Sequence, residues 1–418
     1  MKRYFLSIAD QGMASALMLG LNIVLARYSP PEQFGAFVFW SNTGLILGSL
    51  QNALTVCHIA VLPPGPGDAK ERFATERLML HVSLIYQIVM ALGGGAVAVA
   101  LALGGSSLGL LSAFLFLPAF LLQQYLRSLA FSRGLATAAA INTATVFFAS
   151  LIGVAVLLML GLHIDADRVL LVVAGGYWLS CLIGWGQLRP GFPRLFSFGQ
   201  LKGYRLFVRD SRWVFVGVTS TELLVRFYSF VVATWFGPAA LAALSASQLP
   251  LRPIPLLAVS WSSIGRADLA ALREGNGWRK YGWHLLIAAL VIIAIAIPYG
   301  LAVYFCWPLI SHYVFAGKYA DGASLSLLWA ISSGLAAIQL IGGIGLQVVR
   351  AFRPLAIATA IAAAVTVLAT LVLIGQFGYP ASVIGTIIGQ FVEIAIMTGL
   401  LTRFLATRAM ARAAAGPA

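Results

Sequence analysis

The sequence predicts an all-α polytopic membrane protein, with about twelve transmembrane helices in two pseudo-symmetric six-helix bundles around a central cavity. Three observations carry that prediction. Hydrophobic residues make up 60% of the 418 and charged residues 10%, where a soluble domain carries about 25% charged residues; mean hydropathy is +0.92. Apolar runs near the length that crosses the hydrocarbon, about 20 residues, recur along the chain, and only loop-length polar segments separate them. Lys and Arg fall on alternate loops.

Taken in order, the predicted spans cover about 7–27, 34–62, 78–103, 108–132, 137–162, 168–188, 211–236, 239–265, 283–306, 322–349, 354–376 and 379–405. The first begins like a signal peptide, with Lys2 and Arg3 ahead of apolar residues and Ala14-Ser15-Ala16 mimicking a cleavage site. Asp10-Gln11 ends the apolar run Tyr4–Ala9 before it reaches the roughly 7–15 residues of an h-region. An uncleaved first helix is therefore expected. Gln11, Ser15 and Asn22 share one face of it, with Asp10 beside them. On the second span Ser41, Gly44, Gly48, Gln51 and Thr55 share a face, and a tilt or break is expected near Gln51-Asn52. Glycines at this spacing commonly serve close helix packing; the amides also suit sugar hydroxyls lining a chamber.

Between the sixth and seventh spans lies the longest basic loop, Arg189–Arg212, with Pro190 and Pro193. It divides the chain into an N-terminal six-helix bundle (1–190), a basic cytoplasmic linker (191–209) and a C-terminal six-helix bundle (210–418). A weak internal repeat supports the division. Leu25–Ala36 aligns without gaps to Val232–Ala243, each ending a helix on an aromatic, turning at proline and restarting on small residues. Phe131–Ala136 resembles Ala351–Ala356 between the fourth and fifth spans of each half. Six helices per half make the repeats parallel, related by an axis along the membrane normal.

The seventh and eighth spans carry polar groups that a bilayer rejects. Thr219, Glu222, Arg226 and Ser229 fall at i, i+3, i+7 and i+10, on one helical face. After Gly237-Pro238 the eighth runs Gln248-Leu249-Pro250-Leu251-Arg252-Pro253-Ile254-Pro255. Each proline removes a backbone donor and clashes one turn back, and broken backbone at membrane depth survives only against protein or a water-filled cavity. With Glu393 in the last span, Glu222, Arg226 and Arg252 are the charges expected near mid-helix, at a cost of about 2.5–3.5 kcal/mol each. Glu222 and Arg226 at i, i+4 equally suit a self-neutralising pair. Glu393 equally suits a structural pairing with Arg252 or Arg226. A guanidinium keeps its charge when buried and binds phosphate bidentately, so the two arginines point to a ligand carrying phosphate, pyrophosphate or carboxylate.

Placing the termini and alternate loops on one side gathers 22 of the 27 Lys and Arg there; Arg27, Arg168 and Lys318 lie opposite, and Arg226 and Arg252 lie within spans. That asymmetry predicts both termini in the cytoplasm. It also accounts for the net charge of +14 without nucleic acid. Cys57, Cys181 and Cys306 show no paired spacing and are expected to pack within the core. Five scattered histidines offer no metal cluster. Trp178, Trp185, Trp213, Trp235, Trp278, Trp283 and Trp307 cluster near helix ends, as interfacial belts do. No catalytic constellation of Ser/His or His/Asp emerges, so neither an enzyme nor a cofactor is expected.

The two six-helix halves, the run Ala26-Arg27-Tyr28-Ser29-Pro30-Pro31-Glu32-Gln33-Phe34-Gly35 and its echo in the seventh span resemble the polysaccharide and O-antigen-type flippases of the multidrug/oligosaccharidyl-lipid/polysaccharide (MOP) superfamily. The resemblance implies alternating-access movement of a polyprenyl-pyrophosphate-linked oligosaccharide from the cytoplasmic to the periplasmic leaflet of a bacterial inner membrane, for surface polysaccharide biosynthesis. Related flippases have cationic cavities, and Arg226 and Arg252 take that role here. Gln11, Ser15, Asn22, Gln51, Asn52, Thr219, Ser229 and Gln248 would line the cavity. Glu222, Glu393 and Asp10 would serve as ion-coupling groups (H+ or Na+) or charge partners. Glycosyltransferase or polymerase partners are compatible with such a role. Many members carry two further C-terminal helices that this sequence does not have. The alternatives are a multidrug cation antiporter of the same superfamily, which calls for an acidic chamber, and a membrane scaffold recruiting synthetic enzymes through its basic loops.

Overall fold

The computed structural model describes residues 2–60, 69–190, 202–275 and 277–414. No strand forms among them. The helices are α1 (Lys2–Tyr28), α2 (Pro31–Gln51), α3 (Cys57–Ala60), α4 (Ala69–Leu103), α5 (Ala113–Ser132), α6 (Ala136–Met159), α7 (Ala166–Leu188), α8 (Arg205–Trp235), α9 (Pro238–Gln248), α10 (Pro253–Glu274), α11 (Trp278–Phe305), α12 (Trp307–Phe315), α13 (Ala323–Val348), α14 (Phe352–Phe377) and α15 (Ala381–Ala414). Ten helices among the described residues are long and apolar enough to cross a membrane. The second and eighth expected spans are the two outside that set, and both are interrupted. A π-helical turn at Asn52–Val56 separates α2 from α3, at the expected Gln51-Asn52 position. A 3-10 turn at Leu249–Leu251 separates α9 from α10, where the prolines lie.

Two compact units form, one of residues 1–218 with Ala233–Ala242, the other of Thr219–Val232 with Ala243–Ala418. The expected basic linker, 191–209, lies outside the described residues up to 201. In the first unit, Ile59, Met79, Leu80, Tyr125, Leu126, Leu129, Cys181 and Leu188 form a continuous core. Glu76 of α4 ties its end: Arg72 donates to one carboxylate oxygen at 3.0 Å and Arg133 to the other at 2.6 Å. Arg133 also donates to the Leu188 carbonyl at 2.6 Å, and the Tyr125 hydroxyl to the Glu76 carbonyl at 3.1 Å. The ends of α4, α5 and α7 are thus fastened by a buried carboxylate and its two arginines. The first turns of α2 approach the start of α9, and a Cβ on Gly35 would lie 1.7 Å from the Pro238 carbonyl oxygen. Only glycine permits that approach.

In the second unit the tightest seam runs between α14 and α15. A Cβ on Gly385 would lie 2.2 Å from the Thr370 hydroxyl, and one on Gly389 would lie 1.9 Å from the Thr366 hydroxyl. These two glycines, one helical turn apart, let the backbones close as small-residue motifs do in membranes.

Both internal repeats appear as structure, but in different registers. α1 ends on Tyr28 and α8 on Trp235, α2 starts on Pro31 and α9 on Pro238, so the first alignment matches helix end to helix end. The second is displaced by one helical turn. The α5–α6 turn has Gly134 at φ +73° and the α13–α14 turn has Arg350 at φ +62°. In each, the next amide bonds back to a carbonyl of the last helical turn, Leu135 to Ala130 and Ala351 to Leu346. Gly134 and Arg350 are therefore the equivalent pair, and Arg133 does not match Arg353.

Two expectations about side chains are corrected. Trp307 is no interfacial anchor: it is fully buried, donates to the Tyr319 carbonyl at 2.9 Å and packs against Phe315. Cys181 is buried as expected, but Cys306 is exposed, because it caps α11 at the corner before α12. The side chain of Trp213 lies outside the described residues; Trp235 and Trp283 are exposed near helix ends.

Candidate functional site

The functional candidates of the second unit lie on α8, on the α9–α10 break and on the α13–α15 bundle. On α8 the i, i+4 spacing brings Arg226 to Glu222, and the guanidinium donates to the carboxylate. Glu222 is buried and Arg226 half-buried. The self-neutralising alternative is the one that forms. Ser229, one turn on, is fully buried; Thr219 is half-buried, and its hydroxyl has no partner among the described residues.

The α9–α10 break follows directly from composition. Pro250, Pro253 and Pro255 have no amide hydrogen to give, so the helical ladder lapses between Gln248 and Pro253. The Arg252 amide reaches Leu249 at a long 3.4 Å. The stranded Pro250 carbonyl accepts from the Tyr299 hydroxyl at 2.7 Å, which satisfies broken backbone with protein. Gln248 accepts from the Tyr228 hydroxyl at 3.4 Å, and Tyr228 packs edge-on against Trp329 with ring centroids 5.0 Å apart. Arg252, half-buried at this break, forms no ion pair among the described residues. Of the two arginines it is the one whose charge is not already balanced.

Glu393 of α15 departs from expectation. It pairs with neither Arg252 nor Arg226; it is buried and accepts from Gln339 of α13 at 2.5 Å and from Thr359 of α14 at 2.6 Å. The glycine seam explains why. With Gly389 drawn against Thr366, the carboxylate one turn along α15 comes within reach of Thr359 on the same seam. Two neutral donors leave a carboxylate at mid-helix with no cationic partner among the described residues. Sequence reasoning missed Gln339 and Thr359; the available signal was Gln339, a lone amide in the apolar run Ala336–Ile341.

In the first unit Asp10 is fully buried and closed by partners. Arg127 of α5 donates to it through Nε at 3.0 Å and through Nη2, and Thr143 of α6 donates at 2.5 Å. Arg127 also reaches Gln11 at 3.2 Å. Asp10 is thus a charge partner within the bundle, an outcome no local pattern encodes, since its arginine lies on a helix remote in sequence.

The expected polar lining divides. Gln11 and Asn52 are exposed and Ser15 half-exposed. Gln51 is instead buried among α2, α4 and α5, donating to Ser83 at 2.9 Å and to the Leu121 carbonyl at 3.1 Å. Asn22 is buried and turns back to the Met18 carbonyl at 2.5 Å. An amide on an apolar helix meets either water or a backbone carbonyl, and these two found carbonyls. Gln248 is half-buried beside Tyr228. Among the described residues no group of His, Cys, Asp and Glu could hold a metal ion.

No family model matches the chain, and no curated protein matches it. Solved structures do. The lipid II flippase MurJ, in an inward closed conformation, superposes with a TM-score of 0.70 at 15% identity, over 96% of this chain and 87% of that one. A multidrug resistance MATE transporter of the MOP superfamily, inward-facing, gives 0.72 at 14% identity, over 96% and 99%. The eukaryotic MATE transporter AtDTX14 gives 0.65 at 12% identity, over 96% and 95%. The fold of this chain is therefore all-α and polytopic, and it is shared with the MurJ flippase and with MATE transporters.

Proposed function

We propose that this chain is a flippase that carries a polyprenyl-pyrophosphate-linked oligosaccharide from the cytoplasmic to the periplasmic leaflet by alternating access, in surface polysaccharide biosynthesis. The observation that carries the reading is Arg252, a guanidinium at a broken helix with no carboxylate against it among the described residues. Such a group suits a pyrophosphate, whose two charges it meets with paired donors. Arg226 contributes less, since Glu222 already takes up its charge. Gln11 and Asn52, exposed on the first unit, are suited to hydroxyl-rich ligands. Glu393, buried with only neutral partners, is the group suited to take up a proton or a monovalent cation during the cycle; Asp10, neutralised by Arg127, is not.

The test is polymer export. Arg252→Ala is expected to reduce export at least tenfold at unchanged membrane abundance, and Arg252→Lys to restore part of it, because the charge returns without the bidentate fork. Full export by Arg252→Ala would overturn the anionic-headgroup reading. Glu393→Gln keeps the hydrogen-bonding shape and removes the titration. Transport that loses its response to an imposed ion gradient, with abundance unchanged, would support coupling at Glu393.

Multidrug cation antiport remains a second reading, favoured by one observation: the chain spans 99% of a MATE transporter and 87% of MurJ. Expression in a drug-susceptible host separates the two. Raised resistance to cationic drugs that vanishes with Glu393→Gln would favour antiport; unchanged resistance beside restored polymer export would favour the flippase.

A further inference from the structure

Among the described residues, the connection between α11 and α13 differs from its counterpart in the other half. The equivalent N-terminal connection, 104–112, contains only turns, whereas 306–322 contains the nine-residue α12. This helix is held firmly from one side. Trp307, Ser311 and Phe315 are buried at i, i+4 and i+8, and a Cβ on Gly322 would lie 2.3 Å from the Trp307 ring. Its other side is exposed and largely apolar: Leu309 is 60% and Tyr313 69% exposed, with His312 exposed against the Tyr313 ring, and Phe305, where α11 ends, is 73% exposed. Ile297 and Leu301 of α11 precede them at the same four-residue spacing and are also exposed. Since α11 is long and apolar enough to span, that row suits contact with acyl chains, and Leu309 and Tyr313 follow it beyond the corner at Cys306. Lys318, exposed, follows the helix.

We infer that α12 is an interfacial helix seated on the leaflet where α11 ends, with Phe305, Leu309 and Tyr313 at the headgroup–acyl boundary and Lys318 among lipid phosphates. An apolar stripe carrying an aromatic hydroxyl beside a cation has the chemistry of that boundary. A second protein would need to displace lipid from a surface continuous with the α11 lipid face. The helix thus fixes the depth of the second unit at this leaflet, where the equivalent connection of the first unit, 104–112, has only turns.

The full chain in phosphatidylethanolamine/phosphatidylglycerol vesicles tests this by nitroxide accessibility. Labels at Leu309→Cys and Tyr313→Cys, in a chain whose native cysteines are alanine, are expected to favour oxygen over a water-soluble nickel chelate by severalfold; a label at Lys318→Cys should favour the chelate. Native Cys306, exposed at the corner, can be labelled in the otherwise unaltered chain, and headgroup depth is expected there. Chelate-favouring labels at 306, 309 and 313 alike would overturn the proposal. So would labels at 309 and 313 shielded from both reagents, since that marks a protein partner on this face.

Discussion

Arg350 occupies the left-handed region at φ +62° where its counterpart is Gly134. A side chain there is strained and a glycine is not. Arg350→Gly should therefore raise stability by about 0.5–1 kcal/mol, read as a higher midpoint in thermal unfolding of the purified protein. Glu222 and Arg226 offer a sharper test. Removing one member of a buried pair costs about 3–5 kcal/mol. With Arg226 part-exposed, solvent screening brings that nearer 1–3 kcal/mol. Glu222→Ala is expected to lower stability by that amount, and Glu222→Leu with Arg226→Leu to recover most of it. If the recovered double variant also transports, the pair is structural; if it is stable and inactive, Arg226 meets the substrate. At this scale residue types were legible and partners were not. The spacing of Glu222 and Arg226 announces their pairing, because both lie on one helix. Asp10 with Arg127 and Glu393 with Thr359 meet across helices, and no local pattern encodes which helices touch.

The two interrupted elements were legible for a local reason. Three prolines within six residues cannot maintain a helical ladder, so the α9–α10 break is written in the sequence. The π-turn after Gln51 has a comparable mark in its polar pair, and the Thr55 hydroxyl now occupies the Gln51 carbonyl at 2.7 Å. α12 was not legible, since nine residues of mixed polarity between spans resemble a loop until Trp307 finds its pocket. The α14–α15 seam makes a prediction at this scale. Gly389→Leu should force the helices apart, break the Thr359–Glu393 bond and lower both stability and any Glu393-dependent coupling. Gly389→Ala is also expected to be unfavourable, because even its Cβ meets Thr366. Wild-type thermal stability in Gly389→Leu would contradict the close approach. Gly35→Val should likewise disrupt the packing of α2 against the start of α9, visible as reduced abundance or a lower unfolding midpoint.

For the whole molecule, charge asymmetry makes the topology testable. In a chain whose native cysteines are alanine, Lys318→Cys is expected to react with a membrane-impermeant maleimide on intact spheroplasts, and Arg279→Cys only after permeabilisation. The reverse result would invert the orientation, and the direction of transport with it. By itself the sequence determined what is summed over many residues or confined to one helix: apolar spans of membrane length, alternating charge, the two breaks, the repeat that aligns α1 with α8. Each of these follows from transfer free energy or local backbone chemistry, which act without knowing the fold. Tertiary structure alone decided how the intramembrane charges beyond the Glu222–Arg226 pair are met. Asp10 is met by a distant arginine, Glu393 by neutral donors, and Arg252, among the described residues, by no carboxylate. Those outcomes depend on distances of a few ångströms between helices remote in sequence, and such distances are set by packing, down to whether a glycine lets two backbones meet.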